Sequence, residues 1–240
     1  MHRLYKKDES WFAVLLIMIY VVGVSLSDHI SRSVGIQKSV TTLFCFVLSA
    51  IILIFIKHNN LSTYYGLCKS DLPAHKLLYY FPLVILAAFK LSFGVQMNFN
   101  PIETLFFILS MLLVGFLEEI IFRGFLFKAM CKDNVNTAMI VSSLTFGIGH
   151  IVNLLNGSGA GLISNLCQVA YATAIGFLFV ILFYRTKSLW ACIIMHGVYN
   201  SVSAFTNKGM LAAYMIPVSI VIIIVSLGYS LFLIKRTPKP

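Results

Sequence analysis

The stretch Gly115–Lys132, GFLEEIIFRGFLFKAMCK, decides the fold. Glu118, Glu119 and Arg123 sit in a run otherwise made largely of Leu, Ile, Phe and Met, and nothing from Leu105 to Leu117 is charged. A run of this length enters a bilayer, where an ionised group costs a few kcal/mol even on lenient insertion scales. A helix that keeps three such groups reads as a functional helix, not an anchor. Residues four apart share a helix face, so Glu119 pairs with Arg123. Glu118 points about 100° away and has no basic residue three or four positions along. One carboxylate is thus neutralised by its arginine, and the other must find partners on neighbouring helices or in water. The plain alternative is that both carboxylates only hold a bundle together.

Outward from that helix, the 240 residues are 59% hydrophobic and 11% charged, with a mean hydropathy of +0.91. Soluble domains carry roughly 25% charged residues. The fold class is therefore all-α, a polytopic membrane bundle of about eight helices. The apolar runs lie near residues 11–27, 40–56, 77–96, 102–130, 136–153, 162–184, 189–206 and 212–234. The chain divides into an N-terminal three-span region (1–100), a four-span core (101–206), and a last span with its tail (207–240). The first run is expected to stay uncleaved and to end at Ser25–Asp28. The glycine-rich Asn153–Gly161 stretch reads as a flexible connection, because no Lys-Ser/Thr pair follows it to make a phosphate loop.

The net charge of +10 does not form a nucleic-acid stripe, because the basic residues sit in short loops. With the N-terminus inside, one side holds Arg3, Lys6, Lys7, Lys57, Lys69, Lys76, Arg123, Lys128, Lys132, Arg185, Lys187, Lys235, Arg236 and Lys239. Only Arg32, Lys38 and Lys208 fall on the other, with Lys90 inside the third run. The positive-inside rule then places both termini in the cytoplasm of a cell-membrane protein. The five cysteines show neither metal-type spacing nor a disulfide framework.

Only Glu118 and Glu119 among the eight acidic residues fall well inside a span, and only His150 and His196 among the six histidines. His196 has Asn200 one turn on, so their side chains share a face. At 1.5 Å per residue, Glu118 and His150 lie about 20 Å up their spans and His196 about 10 Å. All three are expected to line one polar cavity open to the cytoplasm. A carboxylate in such a pocket, with a histidine beside it, activates a water. His196 and Asn200 would bind the oxyanion formed when that water attacks an amide carbonyl. No serine or cysteine stands out as a nucleophile. Zinc held by Glu118, His150 and His196 is the alternative to a cofactor-free site, although there is no HExxH.

EEIIFR (Glu118–Arg123) matches an EExxxR motif, FGIGH (Phe146–His150) an FxxxH motif, and HGVYN (His196–Asn200) an HxxxN motif. In this order they resemble the CPBP family, which groups type II CAAX prenyl endopeptidases with bacterial bacteriocin-processing and immunity (Abi) proteins. The resemblance covers roughly residues 100–205. It implies an intramembrane endopeptidase with Glu118 as the water-activating base, His150 as its partner, His196 and Asn200 at the oxyanion, and Glu119 and Arg123 in support. The implied partners are the bilayer and a membrane peptide or lipidated protein, such as a CAAX-type protein or a bacteriocin or signalling-peptide precursor. Two rival readings are a non-catalytic immunity or peptide-binding protein and a proton-coupled transporter.

Overall fold

The computed structural model describes residues 2–155 and 161–238. Eight helical segments follow one another up and down: α1 (Glu9–Val34), α2 (Ser39–His58), α3 (Ala74–Phe93), α4 (Pro101–Met130), α5 (Val135–Gly149), α6 (Leu162–Thr186), α7 (Trp190–Ser201) and α8 (Met215–Arg236). Among the described residues, seven segments are long and apolar enough to cross a membrane. The expected span at 189–206 is the exception, since α7 has 12 residues and continues only as a 3₁₀ turn to Ala204. This is a multi-pass membrane protein.

Helix starts follow their caps. Asp8 accepts hydrogen bonds from the backbone N–H groups of Ser10 and Trp11, and Asn100 and Asn134 do the same for Glu103 and Thr137. Each satisfies donors that the first helical turn leaves free. The expected end of the first span at Ser25–Asp28 is corrected: α1 runs on to Val34 and stops at Gly35, which takes φ 80°. Polar residues at the end of α1 are tolerated because the α1–α2 hairpin satisfies them. Lys38 Nζ reaches both Asp28 oxygens at 2.8 and 2.7 Å, the Thr41 hydroxyl also donates to Asp28, and Ser31 pairs with Thr41. The third span is less regular than its hydropathy indicates. Leu78, Tyr79 and Tyr80 have positive φ ahead of Pro82, and only Phe81–Phe89 is α-helical.

α4 is the axis, with α1, α2, α5 and α7 all packed against it. Its lower half, Glu119–Phe127, is π-helical and wholly buried. Such widened turns are rare and gather at functional sites. The two ends of the bundle are built differently. At the end with the termini, Leu189 N donates to Gly66 O (2.8 Å), Asp71 N to Thr186 O (2.9 Å), and Lys132 pairs with Glu9 (2.8 Å). At the other end, Gln37 N donates to Glu103 (3.0 Å) and Gln96 N to Phe205 O (2.8 Å). The glycine-rich part of the expected flexible connection, residues 156–160, lies outside the described residues.

Candidate active site

Glu119 and Arg123 meet as their spacing predicts. Arg123 Nη1 donates to Glu119 Oε1 at 3.1 Å, and both side chains are fully buried. The guanidinium also lies over the Phe146 ring, 4.1 Å from its centroid, so the aromatic residue of FxxxH covers the cation face-on. A guanidinium on an aromatic face gains about 2 kcal/mol when desolvated. Phe146 stands edge-on to His150 and His196 as well, with ring centroids 5.0 and 5.6 Å apart.

His196 joins the two carboxylates. Its Nδ1–H donates to Glu119 Oε1 at 2.7 Å, and its Nε2 stands 3.3 Å from Glu118 Oε2. The remaining Glu118 oxygen accepts the Tyr20 hydroxyl at 2.6 Å. Glu118 is thus the carboxylate left without a permanent cation, held by one phenol and one imidazole. Tyr20 is the functional neighbour that sequence reasoning missed. Its signal was a phenol halfway along an aliphatic run, whose hydroxyl needs a partner once buried. This bond also makes α1 part of the site, although no motif falls there.

A close helix crossing sets these distances. A Cβ on Gly115 would stand 2.6 Å from Gly197 N and 2.8 Å from Gly197 Cα. Only glycine allows α4 and α7 to touch backbone to backbone, as small residues do at membrane helix interfaces. Gly115 precedes Glu118 by less than one turn and Gly197 follows His196, so the crossing brings the acid pair onto the imidazole.

His150 caps α5, and its Nδ1 lies 3.0 Å from Phe146 O. A carbonyl only accepts, so Nδ1 carries the proton and the neutral ring keeps its lone pair on Nε2. His150 makes no hydrogen bond to Glu118, but both line a cavity of about 250 Å³ with Tyr20, Asp28 and Lys38. A second cavity of about 300 Å³ is lined by His150, His196, Tyr199 and Lys90. The two share Phe146, His150, Gln168, Asn200 and Ser203 as a common wall. The structure therefore brings Glu118, His150, His196 and Asn200 around one hollow. It does not leave His196 and Asn200 as an equivalent pair, because both ring nitrogens of His196 face carboxylates.

The direction of the hollow sets two expectations against each other. Its lining runs from Glu118 and His196 to Asp28, Lys38, Asn153 and Lys208, all at the end away from the termini. Towards the termini, α4 is sealed by aromatic rings. Phe125 packs on Phe12 and Tyr65 at centroid distances of 5.3 and 4.4 Å, with Tyr5 and Phe55 behind. Burial raises the phenol pKa of Tyr65, which donates to Tyr5 Oη at 2.9 Å. A cytoplasmic basic face and a cavity open to the cytoplasm cannot both hold.

Zinc would need Glu118, His150 and His196 as its ligands. Among the described residues, no three His, Cys, Asp or Glu side chains are grouped to hold a metal ion. Both nitrogens of His196 are directed at carboxylates, whereas His150, with Nδ1 on a carbonyl, keeps Nε2 free.

A multi-pass helix bundle whose central helix carries a Glu-Glu-Arg cluster, met by a histidine from α7, is the class this architecture defines. Residues 100–202 match the family described as Rce1-like, type II CAAX prenyl endopeptidase. A Bacillus subtilis (strain 168) protein named "Putative membrane peptidase YdiL" is 36% identical over 98 residues, which cover 40% of this chain and 35% of that protein. The chain thus matches about a third of the length of that curated relative.

Proposed function

We propose that the chain is an intramembrane endopeptidase that cleaves membrane-associated peptides with a water activated by Glu118. The observation that carries this reading is the inequality of the two carboxylates. Glu119 Oε1 takes both Arg123 and His196, whereas Glu118, with no lysine or arginine paired to it, faces a cavity. A water in that cavity would give one hydrogen bond to Glu118 and the other to His150 Nε2, leaving an oxygen lone pair for the scissile carbonyl. Attack transfers the first proton to Glu118, which then delivers it to the leaving amine. Asn200, whose amide makes no side-chain hydrogen bond among the described residues, donates to the oxyanion. His196 joins it when both its ring nitrogens carry a proton, Nδ1–H staying on Glu119 and Nε2–H exchanging its long contact to Glu118 for the same oxygen. Glu119 and Arg123 hold His196 in place, and Tyr20 holds Glu118. The chemistry then belongs to the core at 101–206, with Tyr20 lent by the N-terminal region. No step requires a metal.

The basic end of the bundle, with both termini, belongs in the cytoplasm of the cell membrane. The hollow then faces the opposite side, and its substrates are peptide segments presented there, such as exported bacteriocin or signalling-peptide precursors. The test is cleavage of a membrane peptide by purified protein and by Glu118→Gln, with and without a zinc chelator. The expected result is a loss of at least about a thousandfold in the variant, with no effect of chelator. Full activity in Glu118→Gln would sink the reading, and loss with chelator restored by zinc would replace its water-activation step. A cysteine introduced at Lys208 should react with a membrane-impermeant maleimide added to whole cells, whereas one at Lys132 should not. The opposite pattern would reverse the orientation.

A further inference from the structure

Lys90, at the end of α3, is only 7% exposed. Its ammonium donates to Tyr199 O at 3.1 Å and Ser203 Oγ at 3.0 Å, and it lies 3.6 Å from the centroid of the Tyr199 ring. An ammonium has three protons and here meets two neutral acceptors. No carboxylate lies within ion-pair distance of it among the described residues. It lines the larger cavity, whose other described charged residue is Lys208 and whose lining contains no Asp or Glu. A buried ammonium without a counter-ion is costly, and an incoming carboxylate would both pair with it and favour its charged form. The groups facing it come from α7 (Tyr199), the following turn (Ser203) and the segment at Lys208, and none is an acid.

We infer that Lys90 receives the C-terminal carboxylate of a bound peptide and so selects chains that end in the cavity; this rests on the peptidase reading above. Tyr199 and Ser203 stand on the same continuous helix and turn as His196 and Asn200. A peptide whose terminus sits on Lys90 therefore has its backbone carried along α7 past those two residues. Ile175, Phe179, Met195 and Leu211 give the same cavity an apolar wall beside its polar residues, among them Gln168 and Thr206. The apolar wall favours the side chains of a peptide end over a free inorganic anion.

The test uses Glu118→Gln protein in lipid nanodiscs, so that binding is read without cleavage. The probes are a fluorescent apolar hexapeptide with a free C-terminal carboxylate and the same peptide as its C-terminal amide. The carboxylate form should bind about tenfold tighter or more, as a charge-assisted contact gives. Lys90→Met in the same background should bring it to the level of the amide, and Lys90→Arg should keep the preference. A thermal-shift measurement establishes that both variants fold. If Lys90→Met fails to fold, the acid-to-amide ratio with Lys90 intact and the Lys90→Arg result decide alone. Equal binding of the two probes, binding of neither, or a preference that survives Lys90→Met overturns the assignment. So does competition by millimolar inorganic phosphate as strong as that of the peptide. A preference without cleavage by the parent enzyme sinks only the peptidase reading, and cleavage without a preference sinks only the role of Lys90.

Discussion

The two ends of this bundle solve the same burial problem in opposite ways. Towards the termini, the π-helical half of α4 is enclosed by Phe12, Phe55 and Tyr65 packed on Phe125, and the Tyr65 phenol donates to Tyr5. Towards the other end the same helix borders a hollow walled by Gln168, Asn200 and Ser203, with Lys90 and Lys208 further along. Glu118, Glu119 and Arg123 lie where the two halves meet. The sealed half fixes the helix that carries the carboxylates, and the hollow half leaves one of them something to act upon. Stability and chemistry are therefore separable along one axis, and substitutions on either side should report on only one of them.

The largest effect should come from the sealed end. Phe125→Ala removes a ring that is 2% exposed and packed on two aromatic neighbours. In water-soluble cores such a truncation costs about 3–5 kcal/mol. Here about 3 kcal/mol is expected, because lipid also solvates the ring in the unfolded state and packing is what is lost. The unfolding midpoint in detergent should fall sharply while cleavage per folded molecule stays near wild type. A large loss of turnover in the folded fraction would show that the two halves are not independent.

Gly115→Ala attacks the boundary. Its new methyl group would meet the Gly197 backbone, and backbone cannot rotate away as a side chain can. The helices must part, at a cost of about 1–3 kcal/mol. His196 then moves away from Glu118, and a displacement of about 1 Å can cost a hundredfold in rate. Stability and kcat should fall together in this variant, unlike Phe125→Ala. A kcat equal to wild type would mean that the crossing does not set the site.

How much of this was legible beforehand follows the range of each interaction. The Glu119–Arg123 pair was readable because a helix fixes which residues meet four positions apart. Glu118 was readable only as a carboxylate lacking a local partner. Its actual partners, Tyr20 and His196, come from helices far away in sequence, and no periodicity reports such a contact. His196 was singled out, but its bond to Glu119 was not, since the Gly115–Gly197 approach that makes it is a property of two helices together. Asp28 looked like the end of a helix because its counter-ion, Lys38, lies across the hairpin turn. Lys90 registered as a stray cation in an apolar run because its acceptors, Tyr199 O and Ser203 Oγ, lie far along the chain. Which end of the bundle the hollow meets was not legible because depth was counted along single helices. Which end is sealed depends on aromatic rings from α1, α2 and the loop after α2, all converging on Phe125.

The smallest expected effect probes the hollow half without changing its shape. Tyr20→Phe removes one oxygen, and with it the 2.6 Å hydrogen bond to Glu118 Oε1. The ring itself stays packed in α1, so the sealed half and the helix crossing are untouched. A hydrogen bond to a charged group contributes about 1.5–3 kcal/mol net, but the freed carboxylate oxygen borders a cavity and can take a water instead. The net loss of stability should therefore stay below about 1 kcal/mol. Activity should respond more than stability. Without its phenol donor Glu118 is less well oriented towards the cavity. kcat should accordingly fall in Tyr20→Phe by about tenfold or less, which corresponds to about 1.4 kcal/mol of lost transition-state stabilisation. If kcat does not change, the contact between α1 and the carboxylate is structural, and the boundary between the two halves lies above Glu118, not at it.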